Sequence, residues 1–280
     1  MRHRGTIADR YRNVTGCDGV RTRFIGGMQA IIDAYALRAY AAGLPATIVK
    51  PTLVLQATPQ IASYHPDTNT VVLADYAGLP PEAKMLFGRW AADANNGWNG
   101  ERFEEESFHW FFVAHELTHW VQFKTPIEVA GDRYQSEFQA NQGAVGFWRS
   151  TPAGSARLDA FVKALVAIRA TLPDPVPPGE DPRRFFNEHY GALGTQPLAY
   201  GWYQTSMVIE AAKVAATFED VLRPMLPAKA GWRVSFTRAS PRDSRREHLV
   251  VVALHRFVGA FARCDASQAL AIAGRSVARG

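Results

Sequence analysis

The sequence predicts an α+β fold, with a small sheet early in the chain and helices after it. Three observations carry this. Short β-rich runs crowd between residues 52 and 73, apolar residues recur at helical spacing on both sides of them, and proline and glycine mark the joints. The composition agrees: 47% hydrophobic and 20% charged over 280 residues is the profile of a globular chain. It excludes a disordered, collagenous or coiled-coil protein and leaves ample apolar surface for a core.

Taken in order, residues 1–23 are polar and arginine-rich. From Phe24 to Ala42 the apolar positions Ile31, Tyr35 and Ala39 repeat at helical spacing, and Gly43 and Pro45 stop the helix. Three strand-like runs follow, at 52–55, 61–64 and 70–73. The last two flank His65-Pro66-Asp67-Thr68-Asn69, a turn composition that makes them a hairpin. Pro80-Pro81 opens a helix that Asn96-Gly97 closes. Glu104, Glu105 and Glu106 suit the positive first turn of the next helix, expected to run to about Phe123. Pro126 breaks the chain. Further helices are expected at about 132–150, 155–172, 197–217 and 246–263, with the proline-rich 173–178 as a surface joint. The expected organisation is one domain, 1–280, with an N-terminal subdomain over 24–124 and a helical C-terminal one over 132–280.

Thirty-one basic against 26 acidic residues give +5. The excess sits near the two ends, but nothing aromatic or glycine-rich is interleaved with it, so nucleic acid is not the expected partner. Cys17 and Cys264 are too few for a disulfide framework or a thiolate metal site; whether they pair is left open. No signal-peptide core and no transmembrane run is visible, so the expectation is a soluble cytoplasmic protein, although leaderless secretion would leave the same trace.

The informative segment is His115-Glu116-Leu117-Thr118-His119. Residues four apart on a helix differ by about 40° in azimuth, so both imidazoles project from one face, as two ligands of one zinc ion must. Glu116 is displaced from that face and can serve a water at the open position as general base, then as general acid. With eight histidines in the chain, chance would supply the pattern roughly 0.01 times. Its neighbours from Phe112 to Val121 are otherwise uncharged, as a buried site requires. A third ligand is needed. Gln122 and Thr125 stand where a longer histidine motif would place glycine and histidine, which leaves Glu128, Asp132 and Glu137. Glu137 is favoured, because a turn and an antiparallel second helix would return it over the histidine pair.

With Glu137 on its own helix, this pattern resembles the gluzincin clan of zinc metallopeptidases. Ser136-Glu137-Phe138-Gln139-Ala140-Asn141 is similar to the clan's Glu-x-x-x-Asp segment, with an amide in place of the aspartate that supports a zinc-bound histidine. The resemblance implies a zincin-like fold with the sheet packed on the motif helix, a Zn2+ cofactor, and a peptide or protein substrate. It also implies a substrate-pairing strand, matched to residues 69–75, which read equally as an internal strand needing no ligand, and a tyrosine or histidine oxyanion donor. For that donor Tyr203 comes first and Tyr200 second, with His189 nearby. His-Glu-Leu-Thr-His-Trp is also similar to the zincin-like domain of ArdC-type antirestriction proteins. Two alternatives therefore stand beside the peptidase: a non-catalytic zinc-stabilised module, and a toxin or antirestriction-type effector acting on one partner.

Overall fold

In the computed structural model, which describes residues 17–56, 61–125, 132–214 and 216–226, the chain is mostly helical around a small three-stranded sheet. The helix expected at Phe24 begins earlier, as α1 (Cys17–Ala42). Three strands follow: β1 (Thr52–Gln56), β2 (Ala62–His65) and β3 (Thr70–Ala74). The hairpin turns where expected, and Asn69 closes it at φ 51°. An asparagine tolerates that left-handed backbone, and here its side chain also accepts from the Tyr64 hydroxyl at 2.9 Å and donates to the Val49 carbonyl at 3.1 Å.

The strand order is β1-β3-β2, with β3 parallel to β1 and antiparallel to β2. This corrects one expectation. Residues 69–75 are the middle of the sheet, paired on both sides and wholly buried along β3. β1 and β2 are the two edge strands.

α2 (Pro81–Ala94) starts on a proline at its first position and ends at Asn95 in the left-handed conformation. A continuous helical run then spans α3 (Gly100–Glu106), a π-helical turn (Ser107–Phe111) and α4 (Phe112–Lys124). Because this run starts at Gly100, capped by Asn99, the three glutamates are not in its first turn. Glu106 instead pairs with Arg157 at 2.7 Å and with Arg102, and Glu104 lies buried 3.0 Å from His109.

α5 (Arg133–Arg149), α6 (Pro152–Arg169) and α8 (Pro197–Lys213) follow the expected pattern. α7 (Pro182–Leu193) and the short α9 (Phe218–Leu222) were not anticipated. The expected helix at 246–263, Cys264 and both arginine-rich ends lie outside the described residues or side chains.

α4 is the central element, packed against α1, α5, β2 and β3. Its own buried face includes Trp120, Leu117 and Val113, all fully enclosed. The approach of α5 depends on Gly143, where a Cβ would lie 2.3 Å from Thr118 Oγ1 on α4. That threonine is itself fixed by the Tyr35 hydroxyl of α1 at 2.8 Å and by the Ala114 carbonyl at 3.0 Å. Among the described residues no helix is long and apolar enough to cross a membrane.

Candidate metal centre

The close packing of α5 on α4 brings Glu137 over the histidine pair. His115 and His119 Nε2 lie 3.1 Å apart, and Glu137 Oε2 is 3.3 Å from the first and 3.7 Å from the second. All three groups are buried or nearly so, and they form a set that can bind a metal ion. Of the other two candidate ligands, Asp132 does not join it. Asp132 caps α5, accepting from the Gln135 N–H at 3.0 Å and pairing with Arg183 of α7, while Glu128 lies outside the described residues.

Both imidazoles are oriented from behind. His119 Nδ1 lies 2.7 Å from Gln122 Oε1. The direction of that amide is certain, because its nitrogen donates to the Ser136 carbonyl at 3.1 Å and a carbonyl only accepts. His115 Nδ1 lies 2.9 Å from Asn141 Oδ1. Each amide oxygen accepts from Nδ1, so the Nε2 of both rings faces Glu137. The glutamate is also oriented. Oε1 accepts the Tyr190 hydroxyl at 2.8 Å, and Oε2 faces the histidines.

These charges favour a cation at the meeting point. Burial opposes a charge on His119, yet Glu137 beside it raises its pKa to about 9. Burial opposes the Glu137 carboxylate too, and the two histidines nevertheless hold it well below the usual carboxylate range. Glu116 differs: burial pushes its carboxyl up, with His115, His119 and the Tyr64 N–H of β2 pulling it back in part.

A cavity of about 210 Å³ opens on this group. Glu116, Tyr190, Tyr200 and Gln204 form its polar end with the three ligand candidates. Trp90, Phe103, Phe108, Phe112, Leu165 and Ile168 supply much of its apolar wall, and Arg133, Ser107 and Thr205 also border it. Phe108 stacks on Phe112 with centroids 5.3 Å apart, and Phe112 meets His115 edge-on at 5.2 Å. The π-helical turn widens the helix just before the motif and carries Phe108.

The structure does not bring Tyr203 to this cavity. Its hydroxyl donates to the Pro182 carbonyl at 2.9 Å and its ring packs on Phe186. His189 is likewise absent from the lining, bonded to the Phe185 carbonyl at 3.0 Å. Tyr200, the second choice, does line it, and its oxygen accepts from Gln204 Nε2 at 3.1 Å. Sequence reasoning missed Tyr190, Gln204 and the orienting role of Gln122. Gln122 was within reach, three residues from His119 on one helix face. Tyr190 sits on the unanticipated α7, and nothing local singles out Gln204.

No family model, curated protein or solved structure matches the chain, so the functional reading rests on this geometry.

Proposed function

We propose that the protein is a zinc-dependent metallopeptidase of the gluzincin type, with a zincin-like arrangement of sheet, motif helix and ligand helix. One observation carries the reading: the triangle of His115, His119 and Glu137 beside a buried Glu116 on the wall of a cavity. Zinc bonds of about 2.0–2.1 Å in a tetrahedron set neighbouring ligand atoms about 3.3 Å apart. The three edges here, 3.1, 3.3 and 3.7 Å, bracket that spacing. Two imidazole nitrogens with one carboxylate also suit zinc, whereas calcium and magnesium take oxygen ligands.

When bound, zinc supplies Lewis-acid polarisation of a substrate carbonyl and a more acidic water. The protein's own groups do the rest. Glu116, its carboxyl raised by burial, takes a proton from the attacking water and delivers it to the departing amine. Tyr200 lines the cavity, accepts from Gln204 and also meets the Tyr190 hydroxyl; on this reading its O–H turns from Tyr190 to the oxyanion as the carbonyl becomes tetrahedral.

On the free edge of β2, Ile61 turns its carbonyl inward to the Ala74 N–H at 2.9 Å. The alternation of a strand then turns Ala62 and Tyr64 outward. Ala62 offers main-chain groups to an extended substrate beside the cavity. The apolar chamber favours a peptide with a bulky hydrophobic side chain next to the scissile bond. Even an engineered apolar cavity of about 150 Å³ admits a benzene ring.

The test is Glu116→Gln, assayed on a peptide library rich in large apolar residues, with zinc measured in parallel. The expected variant keeps its metal and fold and loses activity by at least about 10²–10⁴-fold. Equal cleavage by variant and parent refutes Glu116 as the base. One zinc per chain with no cleavage by either form favours the non-catalytic module.

A further inference from the structure

Resting on the metal reading of the same site, we infer that Gln204 is a positioning residue that sets the ligand nitrogen of His115, and that Asn141 must be an amide to receive that setting. The hydrogen bonds run in one direction. Glu137 Oε2 only accepts, so the group 2.9 Å from it on Gln204 is the amide nitrogen. Gln204 Oε1 then faces Asn141, and 3.1 Å away it accepts from Asn141 Nδ2. That leaves Asn141 Oδ1 for His115 Nδ1 at 2.9 Å. The orientation of one metal ligand, Glu137, is relayed through two side-chain amides to a second ligand, His115.

Each member is enclosed: Asn141 is 0% exposed and Gln204 8%. Water is therefore not at hand to replace a lost partner at Asn141. The second hydrogen of the Gln204 amide is also engaged, by the Tyr200 oxygen at 3.1 Å. Gln204 thus has a fixed polarity, with donors towards Glu137 and Tyr200 and its acceptor towards position 141.

A carboxylate at 141, the partner the clan resemblance implies, breaks this logic. Its second oxygen would face Gln204 Oε1, acceptor against acceptor. Turning the glutamine over would only transfer the clash, because Oε1 would then meet Glu137. In this chain Asn141→Asp is expected to weaken the metal site, although it adds the charge that elsewhere strengthens a histidine ligand. His119 is held independently through Gln122 and the Ser136 carbonyl and provides an internal control.

The experiment uses the full chain and Zn2+ as probe, with affinity read by competition against a chromophoric chelator. Asn141→Asp should lose about 10-fold or more in affinity, within the range typical of such outer partners. In a Gln204→Leu background, where the opposing oxygen is gone, the same substitution should cost much less or strengthen binding. Asn141→Asp binding zinc as tightly as the parent with Gln204 intact overturns the inference.

A second measurement needs no metal and no Asp variant. Long-range 1H–15N spectra of the metal-free Gln204→Leu protein should show His115 Nδ1 losing its fixed proton while His119 keeps Nδ1 protonated. An unchanged His115 overturns the relay. If the parent binds no zinc, the metal reading fails on its own, and the His115 spectrum still decides whether Gln204 sets the tautomer.

Discussion

Gln122 and Asn141 each hold one imidazole by Nδ1, so neutral amides orient the two histidines where the resembling clan uses a charged carboxylate. At this scale the structure also separates the two tyrosine candidates. Tyr200 and Tyr203 are three apart on α8, yet only Tyr200 borders the cavity. Tyr200→Phe is expected to lower kcat by roughly 10²-fold, the lower end for one oxyanion donor, with a smaller change in KM. Tyr203→Phe removes a bond to the Pro182 carbonyl and should cost about 1 kcal/mol of stability, leaving turnover near the parent value. Steady-state kinetics on the same peptide, with denaturant melts alongside, checks both. A larger kcat loss in Tyr203→Phe reverses the assignment.

Among the elements, the contact between α4 and α5 makes the site, and Gly143 permits it. A methyl group there would meet both Thr118 Oγ1 at 2.3 Å and Thr118 Cγ2 at 2.8 Å. Thr118 has nowhere to go, being fully buried and tied to Tyr35. Gly143→Ala should therefore push the helices apart, costing about 1–3 kcal/mol as other overpacked cores do. Glu137 lies on the same helix, so zinc affinity should fall as well. Adding Thr118→Ala, which removes the two closest atoms, should restore part of both. Thermal melts and zinc titration of the single and double variants test this, and an unaffected single variant would show that α5 reaches α4 by other means.

Over the whole molecule, the metal candidates join separate parts of the chain: α4 supplies two and α5 the third, with α7 and α8 holding the third in place through Tyr190 and Gln204. A bound ion therefore stabilises the folded arrangement against unfolding. With free metal at about 100 times its dissociation constant, linkage gives about 2.7 kcal/mol. For a chain near this size that is a rise in Tm of about 5–10 °C. Calorimetry with and without a chelator should find this difference in the parent. It should be nearly absent in His119→Ala. A chelator that leaves the parent melt unmoved would argue against a metal in the folded protein.

The local periodicities were legible in the sequence. Two histidines four apart on an apolar helix, a glutamate on a following helix, an asparagine one turn beyond it and a hairpin around Asp67 all follow from side chains sharing a face or a turn. Tertiary structure alone decided how those faces were set against one another. On α8 the stripe of Pro197, Tyr200, Gly201, Gln204, Thr205 and Val208 faces the cavity, and Tyr203, about 60° round the helix from Tyr200, faces Phe186 instead. On the sheet, β3 took the centre because β1 paired with it on the side away from β2, leaving β1 and β2 as the edges. Periodicity states which residues lie together on one element. The rotation of a helix about its axis, and the order of strands in a sheet, are set by packing against segments far away in sequence.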